Sequence, residues 1–294
     1  PIFHIPGKLL ESLNNTNLNN LSSKKPIVGI IREVGSNGDK EMAAAFIHAG
    51  FEAIDITMSE ICKGSGDILE KLNGIAFVGG FSFSDVAGSA TGWYSQIVNN
   101  NNIKTAFDRF YNDPCKFALG ICNGCQLMTK LGWVGNGNWK LVENKSNIFE
   151  SRFPTVKVKN NSIFTRNMDE CIFGIWSAHG EGRFVKTSPN DKSDHDLDHD
   201  LNHALDSITI QYVDDDGIPT DRYPMNPNSS IYGTAALTSQ SGRHLAIMPH
   251  PERCFLQWQS PYIPNDVKEK IRNTKYSPWF ILFKNAYEFC LQHM

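Results

Sequence analysis

Short apolar runs alternate with helix-like patterns through the first half of the chain. The runs are rich in β-branched and small residues and stand at 26–32, 51–57, 74–78 and 117–121. A continuous apolar run of this length is typical of a strand buried on both faces of a parallel sheet. Between and after these runs, apolar spacing predicts helices over 38–50, 67–72 and 92–111. This alternation predicts an α/β protein with a doubly wound, mostly parallel sheet.

The second half of the chain contains more strand-like runs and fewer helices. Strands are predicted at 153–159, 171–176, 208–213 and 234–238. This change of pattern predicts a mixed β extension of the parallel sheet. Residues 278–292 carry apolar side chains on one stripe at helical spacing and predict a closing amphipathic helix.

The composition changes at two places along the chain. Residues 1–25 are rich in Asn and Ser from position 8 onward, which predicts a linker or the remnant of a preceding domain. The chain does not begin with Met, so we expect a piece of a longer polypeptide. The globular domain is predicted over 26–294, with a low-complexity acidic insertion on a surface loop at 187–206.

The overall composition is that of an ordinary globular protein. The 294 residues are 40% hydrophobic and 20% charged, with a net charge of -3. This balance gives no electrostatic reason to expect nucleic acid or an anionic membrane as partner. No apolar run approaches the roughly 20 residues that span a bilayer, and no signal peptide is visible. The seven scattered cysteines indicate reduced thiols, so we expect a cytoplasmic protein.

Candidate chemistry begins at Cys122, which follows the apolar run 117–121. Gly120 and Gly124 flank the cysteine and suit a tight turn from a strand into a helix that ends near Leu131. A thiol at the start of a helix lies near exposed N–H groups and the positive end of the dipole, which stabilise a thiolate. The pattern therefore predicts a nucleophile raised above the edge of the sheet.

A histidine and a carboxylate follow a second apolar run. His250 and Glu252 lie two residues apart after 245–248, and Pro251 holds the chain between them extended. A cysteine nucleophile needs a base, and an imidazole oriented by a carboxylate is the usual one. We therefore predict a catalytic triad of Cys122, His250 and Glu252.

Attack by a thiolate on an amide carbonyl creates an oxyanion that needs hydrogen-bond donors. One predicted donor is the N–H of Asn123, directly after the nucleophile. The second is predicted in the glycine-containing stretch 79–81, where we favour Gly80 over Phe81.

Two other interpretations use the same residues or their neighbours. Cys122 and Cys125 form a C-x-x-C spacing, which would suit a redox pair, but that role would leave the glycines and the His-Pro-Glu stretch unexplained. Histidines recur at 195, 199 and 203 within the acidic repeat. A solvated low-complexity stretch accounts for them better than a metal site, so no metal is predicted.

The Gly-x-Cys-x-Gly-x-Gln stretch at 120–126 and His-Pro-Glu at 250–252 resemble class I, triad-type glutamine amidotransferases, whose fold is flavodoxin-like. Further matching stretches narrow the resemblance to the C-terminal glutaminase domain of the large, single-chain phosphoribosylformylglycinamidine synthases. They lie in family order at 30–38, 41–46, 79–85, 119–128, 150–153, 177–183, 223–228, 248–253 and 278–280.

The resemblance implies a function for each part of the site. Glutamine forms a thioester on Cys122, ammonia is released, and water then yields glutamate. His250 is the base and acid, and Glu252 orients it. Gln126 and the stretch from Ser177 to His179 help to hold the substrate.

The resemblance also implies partners and leaves alternatives. No cofactor is expected in this domain, whereas ATP and Mg are expected in a preceding synthetase region of the same polypeptide. That region uses the ammonia to convert formylglycinamide ribonucleotide to its amidine in purine biosynthesis. The alternatives are a catalytically silent glutamine-binding or docking module and a stand-alone glutaminase subunit.

The chain departs from the family pattern at two places. The usual Phe-Ser-Tyr-Gly-Asp reads Phe-Ser-Phe-Ser-Asp at 81–85, so the hydroxyl is lost at Phe83 and a side chain is added at Ser84. The usual Ser-His-Gly is widened to Ser177-Ala-His179-Gly. Both departures concern loops expected to hold the substrate or the oxyanion.

Overall fold

A computed structural model describes residues 3–14, 25–187 and 205–294. A nine-stranded sheet runs through the described part of the chain. Its strands are β1 (Ile27–Arg32), β2 (Glu52–Thr57), β3 (Gly74–Phe77), β4 (Phe117–Ile121), β7 (Thr155–Val158), β8 (Ile172–Gly174), β11 (Ile208–Tyr212), β12 (Thr234–Thr238) and β13 (His244–Ile247). Two-stranded sheets are formed by β5 (Trp139–Val142) with β10 (Arg183–Lys186), and by β6 (Glu150–Arg152) with β9 (Ser177–His179).

The order of strands in the large sheet is β2-β1-β3-β4-β13-β12-β11-β7-β8. The pairings from β2 to β13 are parallel, and those from β13 to β8 are antiparallel. All residues of β3 and β4 are buried, as their continuous apolar runs require. The predicted α/β class and its mixed β extension are confirmed.

The α-helices are α1 (Gly7–Asn14), α2 (Asp39–Ala49), α3 (Met58–Lys63), α4 (Thr91–Val98), α5 (Asn101–Asn112), α6 (Asn123–Lys130), α7 (Asn265–Lys270) and α8 (Phe280–His293). A short 3₁₀ helix replaces the helix predicted at 67–72. The closing helix α8 packs on α2, where the rings of Phe46 and Phe283 lie 5.2 Å apart. None of the helices in the described ranges is long and apolar enough to cross a membrane.

The single helix predicted over 92–111 is wrong, because α4 and α5 are separate helices. The chain leaves the helical conformation at Asn100, whose side-chain oxygen accepts hydrogen bonds from the N–H groups of Asn102 and Ile103. Asparagine competes for backbone groups in this way and favours a helix start over a helix interior. The apolar spacing continues across the break and does not reveal it.

Residues 1–25 are predicted to be a linker or the remnant of a preceding domain, and part of this stretch is a packed helix, which is not a linker. Residues 7–14 form α1, which buries Leu9, Leu10 and Leu13 against the core. Residues 15–24 lie outside the described residues, as does most of the acidic insertion predicted at 187–206. Leucines at helical spacing inside an Asn-rich stretch were the signal for α1.

Candidate active site

Cys122 occupies a sharp turn between β4 and α6. Its backbone has φ 52° and ψ -104°, and its N–H donates to the carbonyl of Ile247 on β13 at 2.8 Å. A positive φ is rare for a residue with a side chain and is found where the surrounding structure imposes it. A Cβ atom at Gly124 would lie 2.1 Å from the carbonyl oxygen of Phe77, so this turn requires glycine there. The predicted elbow is present.

His250 and Glu252 form a buried pair just after β13. The N–H of His250 donates to the carbonyl of Trp176 at 2.7 Å, and Nδ1 lies 2.6 Å from Oε1 of Glu252. Both side chains are almost completely shielded from solvent. This hydrogen bond fixes the proton on Nδ1, so Nε2 is the atom that can exchange a proton with a nucleophile.

The histidine ring and the cysteine meet above Gly79. A Cβ atom there would lie 3.2 Å from Cε1 of His250 and 3.4 Å from Cβ of Cys122. Burial lowers the pKa of His250, but the Glu252 carboxylate and the Cys122 thiol outweigh it and raise the pKa to about 9. At neutral pH the His250 ring is therefore protonated on both nitrogens, and the proton on Nε2 is the one available to the Cys122 side. The structure thus brings the three predicted triad residues together.

The oxyanion loop, residues 79–85, lies beside the elbow. The N–H of Phe81 donates to the carbonyl of Gly35 at 2.9 Å, so the alternative donor Phe81 is excluded in this conformation. Among the described residues no hydrogen-bond partner is found for the N–H of Gly80, where φ is 121°. Asn123 begins α6, where N–H groups of the first turn have no partner within the helix. Gly80 and Asn123 stay the predicted donors.

Side chains of α6 link the loops around the elbow. The amide of Asn123 accepts from the N–H of Ser82 at 3.2 Å and donates to Oε1 of Gln126 at 3.0 Å and to Asp85 at 3.3 Å. The Nε2 group of Gln126 donates to the carbonyl of Glu181 at 2.8 Å. Both ends of the Gln126 amide are therefore occupied within the protein. Its predicted contact with the substrate stays a prediction.

The strand β9 brings its backbone to the nucleophile. The carbonyl of Ala178 lies 3.7 Å from the Cys122 sulfur. The hydroxyl of Ser177 is instead 3.4 Å from that of Tyr212, in the interior. Burial and the charge of His250 lower the pKa of His179 to about 4, so its ring is neutral. The backbone of this stretch, which the resemblance implies as a substrate contact, therefore lies beside the predicted nucleophile.

The described residues do not support the other interpretations. Cys125 is fully buried, and burial raises the pKa of its thiol well above the usual value, which makes it a poor redox partner. No group of three or more His, Cys, Asp or Glu within the described ranges could hold a metal ion. The histidines at 195, 199 and 203 lie outside those ranges.

Comparisons with known proteins agree with this geometry. The chain is 45% identical over 278 residues to the phosphoribosylformylglycinamidine synthase of Dictyostelium discoideum, which covers 92% of this chain and 20% of that protein. It is 40% identical over 285 residues to the Homo sapiens protein of the same name, with 91% of this chain and 20% of that protein covered. The chain thus spans about a fifth of the length of these curated relatives.

Solved structures show the same fold. A chain of PurLQS from Thermotoga maritima superposes with a TM-score of 0.63 at 22% identity, covering 92% of this chain and 99% of that chain. A putative GMP synthase subunit from Thermoplasma acidophilum superposes with a TM-score of 0.54 at 11% identity, over 92% and 97% of the two chains. Residues 25–290 match the family described as the CobB/CobQ-like glutamine amidotransferase domain. Sequence, relatives and fold agree that the chain belongs to this family of glutamine amidotransferase domains.

Proposed function

We propose that this domain hydrolyses glutamine to glutamate and ammonia through a thioester on Cys122. The observation that carries the proposal is the buried His250–Glu252 pair, with its 2.6 Å hydrogen bond, beside a cysteine held on a strained turn. A histidine whose position is fixed by a carboxylate can protonate a leaving amine and then deprotonate water. A silent glutamine-binding module would not need this arrangement.

We propose the following role for each group in the reaction. The Cys122 thiolate attacks the side-chain carbonyl carbon of glutamine, and the N–H groups of Gly80 and Asn123 stabilise the resulting oxyanion. Nε2 of His250 gives its proton to the leaving nitrogen, which departs as ammonia. A water molecule then loses a proton to Nε2 and attacks the thioester, which releases glutamate and restores the Cys122 thiolate beside the protonated ring.

We further propose that the ammonia feeds an ATP- and Mg-dependent synthetase region, which makes formylglycinamidine ribonucleotide in purine biosynthesis. This proposal is supported by the names and the greater length of the relatives. The seven cysteines are all free, which fits a reducing compartment, and we propose the cytoplasm.

An exposed apolar rim beside the nucleophile supports contact with that region. The rim consists of Val34, Phe81, Phe83 and Phe149, which are 71%, 48%, 41% and 51% exposed. The rings of Phe81 and Phe149 lie 6.2 Å apart, and the N–H of Phe83 donates to the carbonyl of Val34 at 2.8 Å. Clustered exposed apolar side chains mark interaction sites. A synthetase region that covers this face would receive the ammonia before water protonates it.

The docking surface is tested with Val34→Asp and a separately produced synthetase region. Binding should weaken, while labelling of Cys122 by a glutamine-like chloroketone continues. Ile218→Asp is the matched control, because Ile218 is 60% exposed and outside the rim. Equal weakening by both variants, or by neither, contradicts this surface.

The glutaminase proposal is tested by glutamine hydrolysis and thioester trapping, with and without the synthetase region. Cys122→Ala should abolish both, a loss on the order of 10⁶-fold as for other triad nucleophiles. Cys125→Ala is the matched control, since Cys125 is a buried thiol of the same C-x-x-C spacing and should be dispensable. A wild-type protein that forms no thioester under any of these conditions would refute the proposal.

A further inference from the structure

A short segment between β1 and α2 contacts both halves of the proposed catalytic machinery. This coupling segment, Gly35–Gly38, pairs with the oxyanion loop in an antiparallel bridge between Ser36 and Gly80. The N–H of Asn37 donates to the carbonyl of Gly79 at 2.9 Å, and the N–H of Phe81 donates to the carbonyl of Gly35 at 2.9 Å. These bonds on either side of Gly80 set the direction in which its own N–H points.

The same segment reaches the triad carboxylate through a side chain. Oδ1 of Asn37 accepts a hydrogen bond from Nη2 of Arg253 at 3.0 Å. Nε of Arg253 lies 3.7 Å from Oε1 of Glu252, the atom that binds His250. A Cβ atom at Gly38, where α2 begins, would lie 3.8 Å from the same oxygen. The guanidinium and the start of α2 therefore both border the Glu252 carboxylate.

Asn37 thus contacts both the oxyanion loop and the arginine beside the triad carboxylate. Its main chain holds Gly79, next to the predicted oxyanion donor, and its side chain holds Arg253, next to the triad carboxylate. Neither Asn37 nor Arg253 contacts Cys122 or the His250 ring in any of the hydrogen bonds or ion pairs of the described residues. They are placed to set geometry, not to react.

We propose that Asn37 and Arg253 are positioning residues that couple the oxyanion loop to the triad. This inference rests on the proposed glutaminase function. When the link is intact, the Gly80 N–H and the Glu252 carboxylate keep their positions relative to each other. A displaced catalytic group costs up to about 10²-fold in rate even when the change lies away from the reacting atoms.

The test is a double-mutant cycle with Asn37→Ala and Arg253→Met. Each single variant should lower kcat for glutamine between about 10-fold and 100-fold, with KM changed less than about twofold. Because both changes break one link, the double variant should be no slower than the slower single variant. Asn37→Asp keeps an oxygen acceptor for Arg253 and should restore most of the rate.

Matched controls separate positioning from folding. Arg32→Met is the control, because Arg32 also pairs with a carboxylate, Asp55, at 2.7 Å and is close in sequence to the coupling segment. The kcat of this variant should stay within about twofold of wild type. Thermal unfolding of every variant is measured alongside. The coupling is overturned if the two losses multiply, if Asn37→Asp is as slow as Asn37→Ala, or if the losses appear in KM.

A second readout does not depend on glutamine. Alkylation of Cys122 by iodoacetamide reports the reactivity that His250 and Glu252 give to the thiol. Asn37→Ala and Arg253→Met should slow it to the same extent, and the double variant no further. If wild type proves not to hydrolyse glutamine, the proposed function fails, yet equal slowing here still supports the link and unchanged alkylation overturns it.

Discussion

The triad and the oxyanion loop lie at the same edge of the sheet but are held there in different ways. The nucleophile and the histidine follow β4 and β13, which are neighbouring parallel strands with Ile121 paired to Ile247. Ordinary sheet pairing therefore brings Cys122 and His250 together. The oxyanion loop follows β3, and its shape depends on contacts with segments distant in sequence.

The backbone of the oxyanion loop is unusual over successive residues. Gly80 has φ 121°, and Phe83, Ser84 and Asp85 have φ of 53°, 56° and 50°. Residues with side chains pay roughly 1–2 kcal/mol each for this left-handed conformation. The triad contains one such residue, Cys122. The comparison teaches that the predicted nucleophile and base are fixed by strand pairing, whereas the predicted oxyanion donor Gly80 is held in a strained loop by its neighbours.

The largest expected effect comes from the triad carboxylate. Glu252→Gln should lower kcat about 10⁴-fold, because a neutral amide no longer fixes the proton on Nδ1 of His250 or stabilises the charged ring. Steady-state glutamine hydrolysis measures the change. Glu170→Gln is the control, since Glu170 also pairs with a cation, Lys157, but at the surface. A loss below tenfold would show that strand pairing alone positions the histidine.

The second effect tests the oxyanion loop itself. In Gly80→Ala the new Cβ would lie 2.6 Å from the nitrogen of Asn37 and 2.7 Å from the carbonyl oxygen of Gly35, so the loop must shift. Loss of one oxyanion donor should lower kcat about 10²–10³-fold, with little change in KM.

Gly137→Ala is the matched control for that variant. Gly137 also has a positive φ, 72°, but a Cβ atom there meets nothing within 4 Å. It therefore carries the conformational penalty without the clash, and both variants should lose stability while only Gly80→Ala loses activity. Equal activity of the two variants would exclude Gly80 as a donor.

The sequence predicts the triad because its residues follow apolar runs that pair in register. The glycines around Cys122 and the two-residue spacing of His250 and Glu252 are local features. The same reasoning favours Gly80 over Phe81 but contains no signal that excludes Phe81. That choice depends on the hydrogen bond from Phe81 to Gly35, a contact between two loops that no periodicity encodes.

The two helix features that the sequence missed have different causes. The break before α5 depends on the side chain of Asn100 capping the next turn, which competes with an apolar spacing that runs through it. The helix α1 depends on burial of Leu9, Leu10 and Leu13 against the rest of the fold, which outweighs the poor helix propensity of an Asn-rich stretch. At α1 tertiary burial overrides the local propensity, whereas at Asn100 a local side-chain cap overrides the apolar spacing.

The smallest effect separates strain in the oxyanion loop from its function. Ser84 is exposed, has φ 56°, and stands where the resemblance implies glycine. Ser84→Gly should stabilise the domain by up to about 1 kcal/mol, because glycine adopts this conformation without the side-chain penalty but loses more chain entropy on folding. Ser65→Gly, at φ 51° on another exposed turn, is the matched control. Denaturant unfolding should show similar gains for both.

The same variants test whether strain in the loop matters for activity. The hydrogen bonds to the carbonyls of Gly35 and Gly79 hold Gly80 independently of Ser84, so kcat should change less than about twofold. A large change in kcat for Ser84→Gly alone would mean that the strain itself positions the donor.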